Sequence, residues 1–596
     1  MKHKFIILAL GLGFLASSCN DLDLVPLSEA STENWYSSEE ELLMAANEFY
    51  KIGYWNKMNQ GLLEQATDNF TYRNVNRCNL LDGTVNGDGG TENWYPVEQW
   101  QSNYKCITMA NTFLEKSERA EKAGVSEKIL NQYRGEAYFT RACKYAVLVS
   151  FFGDVVWLDK NIYIEEAFQK GRTPKKEIIP LIYQDFDKAI SMLPVSYTGN
   201  STQRFTKGAA LAMKARFALY MGDWELAAES AKACMNLQAY QLHPDFSDLF
   251  LMNTKNSIES ILVFPRSVQY NILYDATATK NELPRNAGGY GSYAPSWDLL
   301  ASFLCTDGLP IDESPLFDPH NPFKNRDPRM AQTIAAPDYV AVGTDASTKY
   351  YPSCKDYDRS GYRPIKYFSD DTHDGATTST TDYAIFRYGE VLLNYAEAKA
   401  ELGEADQTVI DQTVNVIRAR VGMPALDVTK ANGAPDAFLS SYYTDKHLDG
   451  ADKGLILEIR RERTVELVNE GFRLWDMLRW HEGQQLCPAS NTLGPGFIGC
   501  WFPGLGEYDM NNDGTPDLCI YTGTKPSTDC ENTLDVSEGK ENTLSEGTSG
   551  YLIQFKDQSY KWEEKDYLYP IPVKQIQIYP KDEATGESVL TQNPGY

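Results

Sequence analysis

Residues 206–236 constrain the fold most, because their pattern predicts two closely packed antiparallel helices. Small and apolar side chains recur at helical spacing from Ala209 to Leu219 and again from Ala227 to Ala231. The stretch Tyr220–Trp224, with its Gly222-Asp223, supplies the turn between them. Small residues at facing positions let helices approach closely, as in tetratricopeptide-type hairpins.

Other segments extend this pattern along the chain. Helical periodicity is found at residues 39–54, 98–119 and 127–151, and a second pair is predicted at 388–402 and 407–421. By contrast, residues 240–387 and 485–550 are rich in Pro, Gly, Tyr and Asp, which is typical of long functional loops. The sequence therefore predicts a mainly α fold: a tetratricopeptide-like helical-repeat scaffold with long loop-rich insertions and little β structure.

The N-terminus predicts export and lipidation. Lys2 and Lys4 precede an apolar run from Phe5 to Leu15, and the small residues Ala16–Ser18 lead directly to Cys19. This is the pattern of a secretory signal at residues 1–18, too short to span a bilayer. Cys19 stands where a bacterial lipoprotein carries its acyl chains, and residues 19–35 would form the lipidated tether. The alternative is an ordinary signal peptide with a chance cysteine.

Charge narrows the range of partners. The formal net charge is −26, and loss of Lys2 and Lys4 with the signal makes it −28. Such a surface repels nucleic-acid phosphates and anionic lipid headgroups. We therefore expect no nucleic-acid partner, and membrane attachment through the lipid anchor alone.

The cysteines do not form a metal-binding pattern, since none of them is spaced as Cys-x-x-Cys. Cys487 with Cys500, and Cys519 with Cys530, are close enough in sequence to pair, and an exported chain can form disulfides. Cys143 and Cys234 lie in apolar helical patterns and are predicted to be buried free thiols. The connectivity stays open at this point.

Several segments occur in an order that is typical of one family. They are Cys19–Pro26, Trp100-x3-Tyr104-x2-Ile107-x2-Ala110-Asn111, Phe152–Val155, Tyr183-x-Asp185-x2-Lys188-Ala189-Ile190, Thr206–Ala210, Arg387–Val391, Ile459-x2-Glu462-Arg463-x2-Glu466, Glu470-Gly471-x-Arg473-x-Trp475-Asp476, Tyr569–Pro572 and Gln592–Tyr596. Together they resemble the SusD/RagB family of nutrient-binding outer-membrane lipoproteins along nearly the whole mature chain.

The resemblance implies an architecture and a role. It implies a SusD-like helical region at 36–240 and a RagB/SusD region at 241–596 packed on the same scaffold, to which residues 388–421 return. It further implies a palmitoylated lipoprotein on the outer membrane, facing the cell exterior. There it would bind oligosaccharides for polysaccharide utilisation and act as the lid of a SusC-like TonB-dependent transporter. Some relatives handle peptides, so a peptide ligand is the alternative.

Enzyme chemistry has little support in the sequence. The histidines are scattered singly, and there is no His-Glu-x-x-His zinc motif, nucleophile elbow or phosphate-binding loop. Glu462, Glu466 and Glu470, followed by Arg473 and Arg479, are interpreted as one helix with acids early and bases late, stabilised by i,i+4 pairs. Trp475 and Trp480 are assigned to the core. We therefore expect no enzyme activity and no required cofactor, and a surface glycan hydrolase is the least favoured alternative.

One loop has a spacing that suits calcium. Asp509, Asn511, Asp513 and Asp517 place oxygen ligands at positions 1, 3, 5 and 9, with Gly514 at position 6. Position 12 is not a glutamate, so a complete EF-hand is excluded. A structural calcium site and a metal-free turn both remain open.

Two stretches combine aromatic and polar side chains as sugar-binding sites do. The first contains Asp68, Tyr72, Arg73, Asn74, Trp94 and Tyr95, and the second contains Tyr290, Tyr293 and Trp297. We predict that these nine residues bind glycan; ordinary loop packing is the alternative for each. Trp501, Phe502 and Tyr508 are further exposed-loop candidates, which we expect to face the transporter.

Overall fold

The computed structural model describes residues 35–55, 64, 67–72, 80–81, 83–90, 94–198, 203–270, 272, 291–339, 354, 359–367, 380–444, 446–487, 493, 496–556, 560–581 and 586–596. The predicted signal peptide and Cys19 lie outside these residues. Among the helices so described, none combines the length and the apolar character needed to cross a lipid bilayer.

The first part of the chain is helical. Its helices are α1 (Glu39–Asn47), α2 (Trp94–Lys116), α3 (Glu118–Lys122), α4 (Glu127–Phe152), α5 (Ile164–Ala167), α6 (Lys175–Met192), α7 (Lys207–Met221) and α8 (Trp224–Asn236). Short 3-10 turns occupy Glu48–Tyr50, Ile52–Tyr54 and Asp248–Phe250.

The second part adds shorter helices. They are α9 (Trp297–Ser302), α10 (Pro328–Thr333), α11 (Tyr388–Glu401), α12 (Gln407–Asp411), α13 (Val414–Arg420), α14 (Val428–Gly433), α15 (Ala437–Tyr442), α16 (Lys453–Leu467), α17 (Arg473–Arg479), α18 (Gly483–Leu486) and α19 (Val573–Ile578). Two further 3-10 turns lie at Lys446–Asp449 and Glu564–Tyr567.

The strands are short and form small sheets. They are β1 (Phe70–Tyr72), β2 (Ser260–Phe264), β3 (Tyr293–Pro295), β4 (Tyr383–Arg387), β5 (Phe497–Phe502), β6 (Gly506–Tyr508), β7 (Leu518–Tyr521), β8 (Asn532–Asp535), β9 (Asn542–Leu544) and β10 (Gly550–Gln554). The pairs β1–β3 and β2–β4 are antiparallel, and β5–β10–β9 and β6–β7–β8 form the three-stranded sheets.

The helices form a continuous packed series. Consecutive contacts join α2 to α4, α4 to α6, α6 to α7, α7 to α8, α8 to α11 and α11 to α16. In the predicted hairpin the Thr206 hydroxyl accepts a hydrogen bond from the Ala209 N–H at 3.1 Å, and Gly222 ends α7 with φ +79°. Alanines 209, 210, 227 and 231 are fully buried. The predicted mainly α, tetratricopeptide-like scaffold is confirmed.

Two local predictions are wrong. The helix predicted at 407–421 is two short helices, α12 and α13, because Thr413 leaves the helical region with φ −128° and ψ −89°. Residues 485–550, predicted as loop, contain β5 to β9. These strands have three to six residues each and are separated by Gly- and Asp-rich turns. The alternation within each strand is therefore too short to be recognised in the sequence.

A network of buried charges occupies the centre of the second part. We define the buried ion network as ten side chains, each no more than 4% exposed in its side-chain atoms: Glu259, Asp327, Arg329, Lys366, Arg387, Arg418, Arg420, Glu462, Glu466 and Glu470. Every guanidinium N–H of Arg387 donates a hydrogen bond within this network. Its nitrogens contact Glu259, Glu466 and Glu470 at 2.7–2.8 Å and the Glu466 carbonyl at 2.9 Å.

The network corrects the interpretation of the charged motif. Glu462 and Glu466 lie on α16, whereas Arg473 and Arg479 lie on α17, and Asn469 (φ +60°) and Gly471 (φ +80°) separate the two helices. Glu462 and Glu466 therefore pair with arginines distant in sequence instead of with bases later in the same helix. Trp475 and Trp480 are buried, as predicted.

The C-terminal segment packs back onto the first helices. The Tyr569 N–H donates to the Phe151 carbonyl at 2.6 Å, and the Asn593 amide donates to the Phe152 carbonyl at 3.1 Å. Arg172 in turn donates to the Asn593 side-chain oxygen at 2.6 Å. The first and last parts of the chain thus share one core.

Candidate functional site

A cleft of about 370 Å³ lies between the loops of the second part of the chain. We call it the aromatic cleft; its lining residues come from segments 319–323, 335–337, 361–363, 500–503 and 508–512. Its size is within the range of small-molecule sites.

Strand β5 holds one wall in place. Trp501 lies opposite Tyr551 of β10 in the antiparallel register, and the Cys500 N–H donates to the Ser360 carbonyl at 2.7 Å. A Cβ on Gly499 would be 2.6 Å from that carbonyl, so only glycine permits this approach. The segment 359–363 is thereby fixed beside β5.

Flat aromatic surfaces line the cleft. Trp501 is half-buried, and its ring meets His320 edge to face with centroids 4.7 Å apart. Phe502 packs against Tyr508 at 4.9 Å, and the Tyr508 hydroxyl donates to the Gly504 carbonyl at 2.6 Å. These contacts fix the rings, so a ligand that stacks on them need not order them first.

Polar groups stand among the rings. Asn321, Arg363, Asp509 and Asn512 are in the lining, and the Arg363 side chain is buried. The Tyr362 hydroxyl is buried and has no hydrogen-bond partner among the described residues. Burial raises the pKa of Tyr362 well above its usual value, so this hydroxyl stays neutral. The cleft thus combines apolar faces with hydrogen-bonding groups.

The loop 509–517 borders the cleft and forms a hydrogen-bonded turn. Asp509 accepts from the N–H groups of Asp513 at 3.1 Å and Gly514 at 2.7 Å, and Asp517 accepts from the Met510 N–H at 2.9 Å. Among the described residues, no three acidic, His or Cys side chains converge as a metal site would require. The turn accounts for the Asp/Asn/Gly spacing, and calcium binding stays a prediction.

The two predicted glycan-binding stretches meet in space. Strands β1 and β3 pair, with Tyr72 opposite Tyr293 and Thr71 opposite Ala294. The Ser296 hydroxyl also donates to the Asp68 carbonyl at 2.6 Å. Arg73, Asn74 and Tyr290 lie outside the described residues, and for Tyr72, Trp94 and Tyr293 only the backbone is described.

The predicted residues with described side chains make internal contacts. Asp68 is buried, receives two hydrogen bonds from Arg473 at 2.8 and 2.6 Å, and a third from Tyr442 at 3.2 Å. Tyr95 packs against Phe151 and Tyr569. Trp297 is buried against Tyr551, 4.8 Å away, which itself pairs with Trp501. These contacts engage all three side chains within the fold, and their role in glycan binding stays a prediction.

The cleft itself was not predicted as a site. The sequence predicts Trp501, Phe502 and Tyr508 as exposed-loop residues that face the transporter. The structure instead places them on β5 and β6, where they line the cleft and Phe502 is buried; the transporter contact stays a prediction. Their partners at 319–323 and 361–363 are more than a hundred residues away in sequence, and no motif links them.

Two carboxyls near Asp68, those of Glu64 and Asp298, give the fold a pH dependence. Burial raises the pKa of Glu64 from 4.5 to about 7, and burial together with the Asp68 carboxylate raises the pKa of Asp298 from 3.8 to about 7. The folded state therefore holds these protons more tightly than the unfolded state. This contribution to stability is complete at low pH and is lost as the pH rises through about 7.

We expect the free energy of unfolding to fall between about pH 5 and 7, by up to about 1.4 kcal/mol per pH unit for each group. Glu64→Gln combined with Asp298→Asn should flatten this slope in urea titrations at several pH values. Glu127→Gln, on the exposed surface of α4, is the control and should leave the slope intact. An equal slope in the double variant would contradict the assignment.

Family models match both parts of the chain. One described as "SusD family" matches residues 264–596, more than half of the sequence, and one described as "Starch-binding associating with outer membrane" matches residues 22–219. The curated SusD-like protein P2 of Formosa agariphila is 25% identical over 527 residues, which cover 83% of this chain and 92% of that protein.

Solved structures agree on the fold. A SusD-like carbohydrate binding protein from Bacteroides fragilis superposes with a TM-score of 0.72 at 23% identity, covering 91% of this chain and 99% of that chain. A laminarin binding SusD-like protein superposes with a TM-score of 0.59 at 17% identity, covering 94% and 100%. At these identities the likeness concerns the fold alone.

Proposed function

The chain belongs to the SusD family, and on that premise we propose that it captures oligosaccharides in the aromatic cleft and delivers them to a SusC-like TonB-dependent outer-membrane transporter. The observation that carries the proposal is the cleft's combination of fixed aromatic rings with hydrogen-bonding side chains. The family description of starch binding at the outer membrane and the laminarin binding structural neighbour support a glycan as the ligand.

Sugar chemistry fits this lining. The C–H faces of a pyranose ring are apolar and stack on flat aromatics such as Trp501, while the ring hydroxyls need donors and acceptors. The side-chain amides of Asn321 and Asn512, which line the cleft, offer both. The net charge of −26 disfavours polyanionic chains, so neutral polysaccharides are the expected ligands.

Binding without catalysis is part of the proposal. Glycoside hydrolysis generally needs two carboxyl groups that flank the scissile bond. Among the described residues that line the cleft, Asp509 is the one carboxylate, and it already accepts three backbone hydrogen bonds. This lining supports a binding protein in preference to a surface hydrolase.

The proposed location of the protein rests on the N-terminal sequence. We propose that acyl chains on Cys19 anchor the protein in the outer membrane, with residues 19–35 as the tether and the cleft facing the cell exterior. Several acyl chains hold a protein firmly, whereas a single chain binds a membrane only marginally. The acidic surface adds no electrostatic attraction to anionic lipids.

Affinity electrophoresis of the lipid-free mature chain tests this function. Gels would contain neutral polysaccharides, such as starch and laminarin, or polyanionic ones. We expect at least one neutral polymer to retard the protein without being shortened. Shortening of a retained polymer would show a hydrolase, and unchanged migration across the panel, with retention on a peptide array, would establish the peptide alternative.

A further inference from the structure

Two thiols from distant parts of the chain meet behind the aromatic cleft. Cys354 is fully buried, Cys500 lies on β5 and is 7% exposed, and the sulphurs of both lie beside Gly361. Gly361 fits between them: a side chain there would overlap the Cys500 sulphur and come within 3.3 Å of the Cys354 sulphur. The sequence suggested Cys487 as the neighbour of Cys500, but the Cys487 thiol contacts the Leu81 carbonyl instead.

We infer that Cys354 and Cys500 form a disulfide in the exported protein. Both S–H bonds break and one S–S bond forms, which releases two protons and two electrons. A disulfide of a thiol–disulfide oxidoreductase, or of an oxidised low-molecular-weight thiol, accepts them and becomes two thiols. The inference depends on the predicted signal sequence, because oxidising compartments permit such bonds.

The bond must form while the chain folds. Burial, and then the neighbouring Cys354 thiol, raise the pKa of the Cys500 thiol well above its usual value. A protonated thiol is a poor nucleophile, and no oxidant reaches a fully buried Cys354. The backbone at Cys354 has φ +55°, a conformation that non-glycine residues rarely adopt, and a covalent bond to Cys500 would help to hold it.

The cross-link would stabilise one wall of the cleft. Cys500 precedes Trp501, and the segment 359–363 that carries Tyr362 and Arg363 already hydrogen-bonds to Cys500 through Ser360. A disulfide would join this wall to Cys354, 146 residues earlier in the chain. Closing a loop of this length restricts the unfolded chain more than it restricts the folded one.

Alkylation of the full chain, exported with its signal and denatured without reductant, tests the inference. We expect Cys354 and Cys500 to resist N-ethylmaleimide, to appear as one cross-linked peptide pair, and to react after dithiothreitol. Reduction of this one disulfide should raise the intact mass by about 2 Da, because each sulphur gains a hydrogen. Labelling of both thiols without reductant, or a cross-link of either to another cysteine, would overturn it.

Variants separate this bond from other effects. Cys354→Ala should free Cys500 for labelling and remove the drop in thermal midpoint that dithiothreitol causes in the parent chain. Cys234→Ala is the control, since that buried thiol contacts the Gly208 carbonyl and should leave both results unchanged. If Cys354→Ala fails to fold, the peptide map of the parent chain still decides the question.

Discussion

Arg387→Met is expected to destabilise the protein by about 3–5 kcal/mol, the typical cost of removing one partner from a buried ion pair. Arg387 neutralises three carboxylates, those of Glu259, Glu466 and Glu470, all buried. Methionine has a similar length and fills the space without the charge. The destabilisation therefore reports uncompensated negative charge more than a cavity.

The remaining cations cannot replace Arg387. Glu466 retains Arg329 and Arg420, and Glu470 retains Lys366 at 2.7 Å. The network nevertheless changes by one full charge in a medium that solvates charge poorly. The midpoint of urea unfolding should shift strongly to lower concentration.

A surface pair supplies the control. Arg134 binds Glu121 at 2.7 Å, but the Glu121 side chain is 58% exposed. Arg134→Met should cost less than about 1 kcal/mol, as exposed pairs do. Similar midpoints for Arg387→Met and Arg134→Met would show that the buried ion network contributes little to stability.

Trp501→Ala is expected to weaken glycan binding at least about tenfold, equivalent to about 1.4 kcal/mol. The substitution removes the half-buried indole of the cleft while leaving the backbone pairing of β5 with β10. Stacking on an aromatic face is the contact that a sugar ring gains most from here. Trp501→Phe keeps a flat face and should retain most of the affinity.

Two further variants make this result specific. Tyr163→Ala removes an aromatic ring that is 84% exposed and lies before α5, so it should leave gel retardation unchanged. Trp94→Ala tests the stretch predicted from the sequence. Loss of binding in Trp94→Ala with full binding in Trp501→Ala would place the ligand near the start of α2 instead of in the aromatic cleft.

The sequence predicted the helical scaffold well because its signals are local. Alanines at helical spacing and a glycine turn define α7 and α8 within thirty residues. The ion network shows the opposite case. Glu466 pairs with Arg329 and Arg387, which are 137 and 79 residues away, so the local i,i+4 interpretation had no means of finding them.

The site was predictable only in part for the same reason. Aromatic and polar composition identified the stretches that meet at β1 and β3, as well as Trp501 and its neighbours. Composition could not show that the Asp68 carboxylate binds Arg473, or that the His320 ring contacts Trp501. Those contacts depend on the arrangement of loops, which no periodicity encodes.

The return of the C-terminal segment to α4 has a consequence for biogenesis. Ribosomes make the partners of Phe151 and Phe152 last, because Tyr569 and Asn593 are near the end of the chain. The apolar surface of the early helices therefore stays exposed until more than four hundred further residues have been synthesised. We expect such a chain to need a holding chaperone during export. Premature termination near the end of the chain would leave an aggregation-prone, protease-sensitive product.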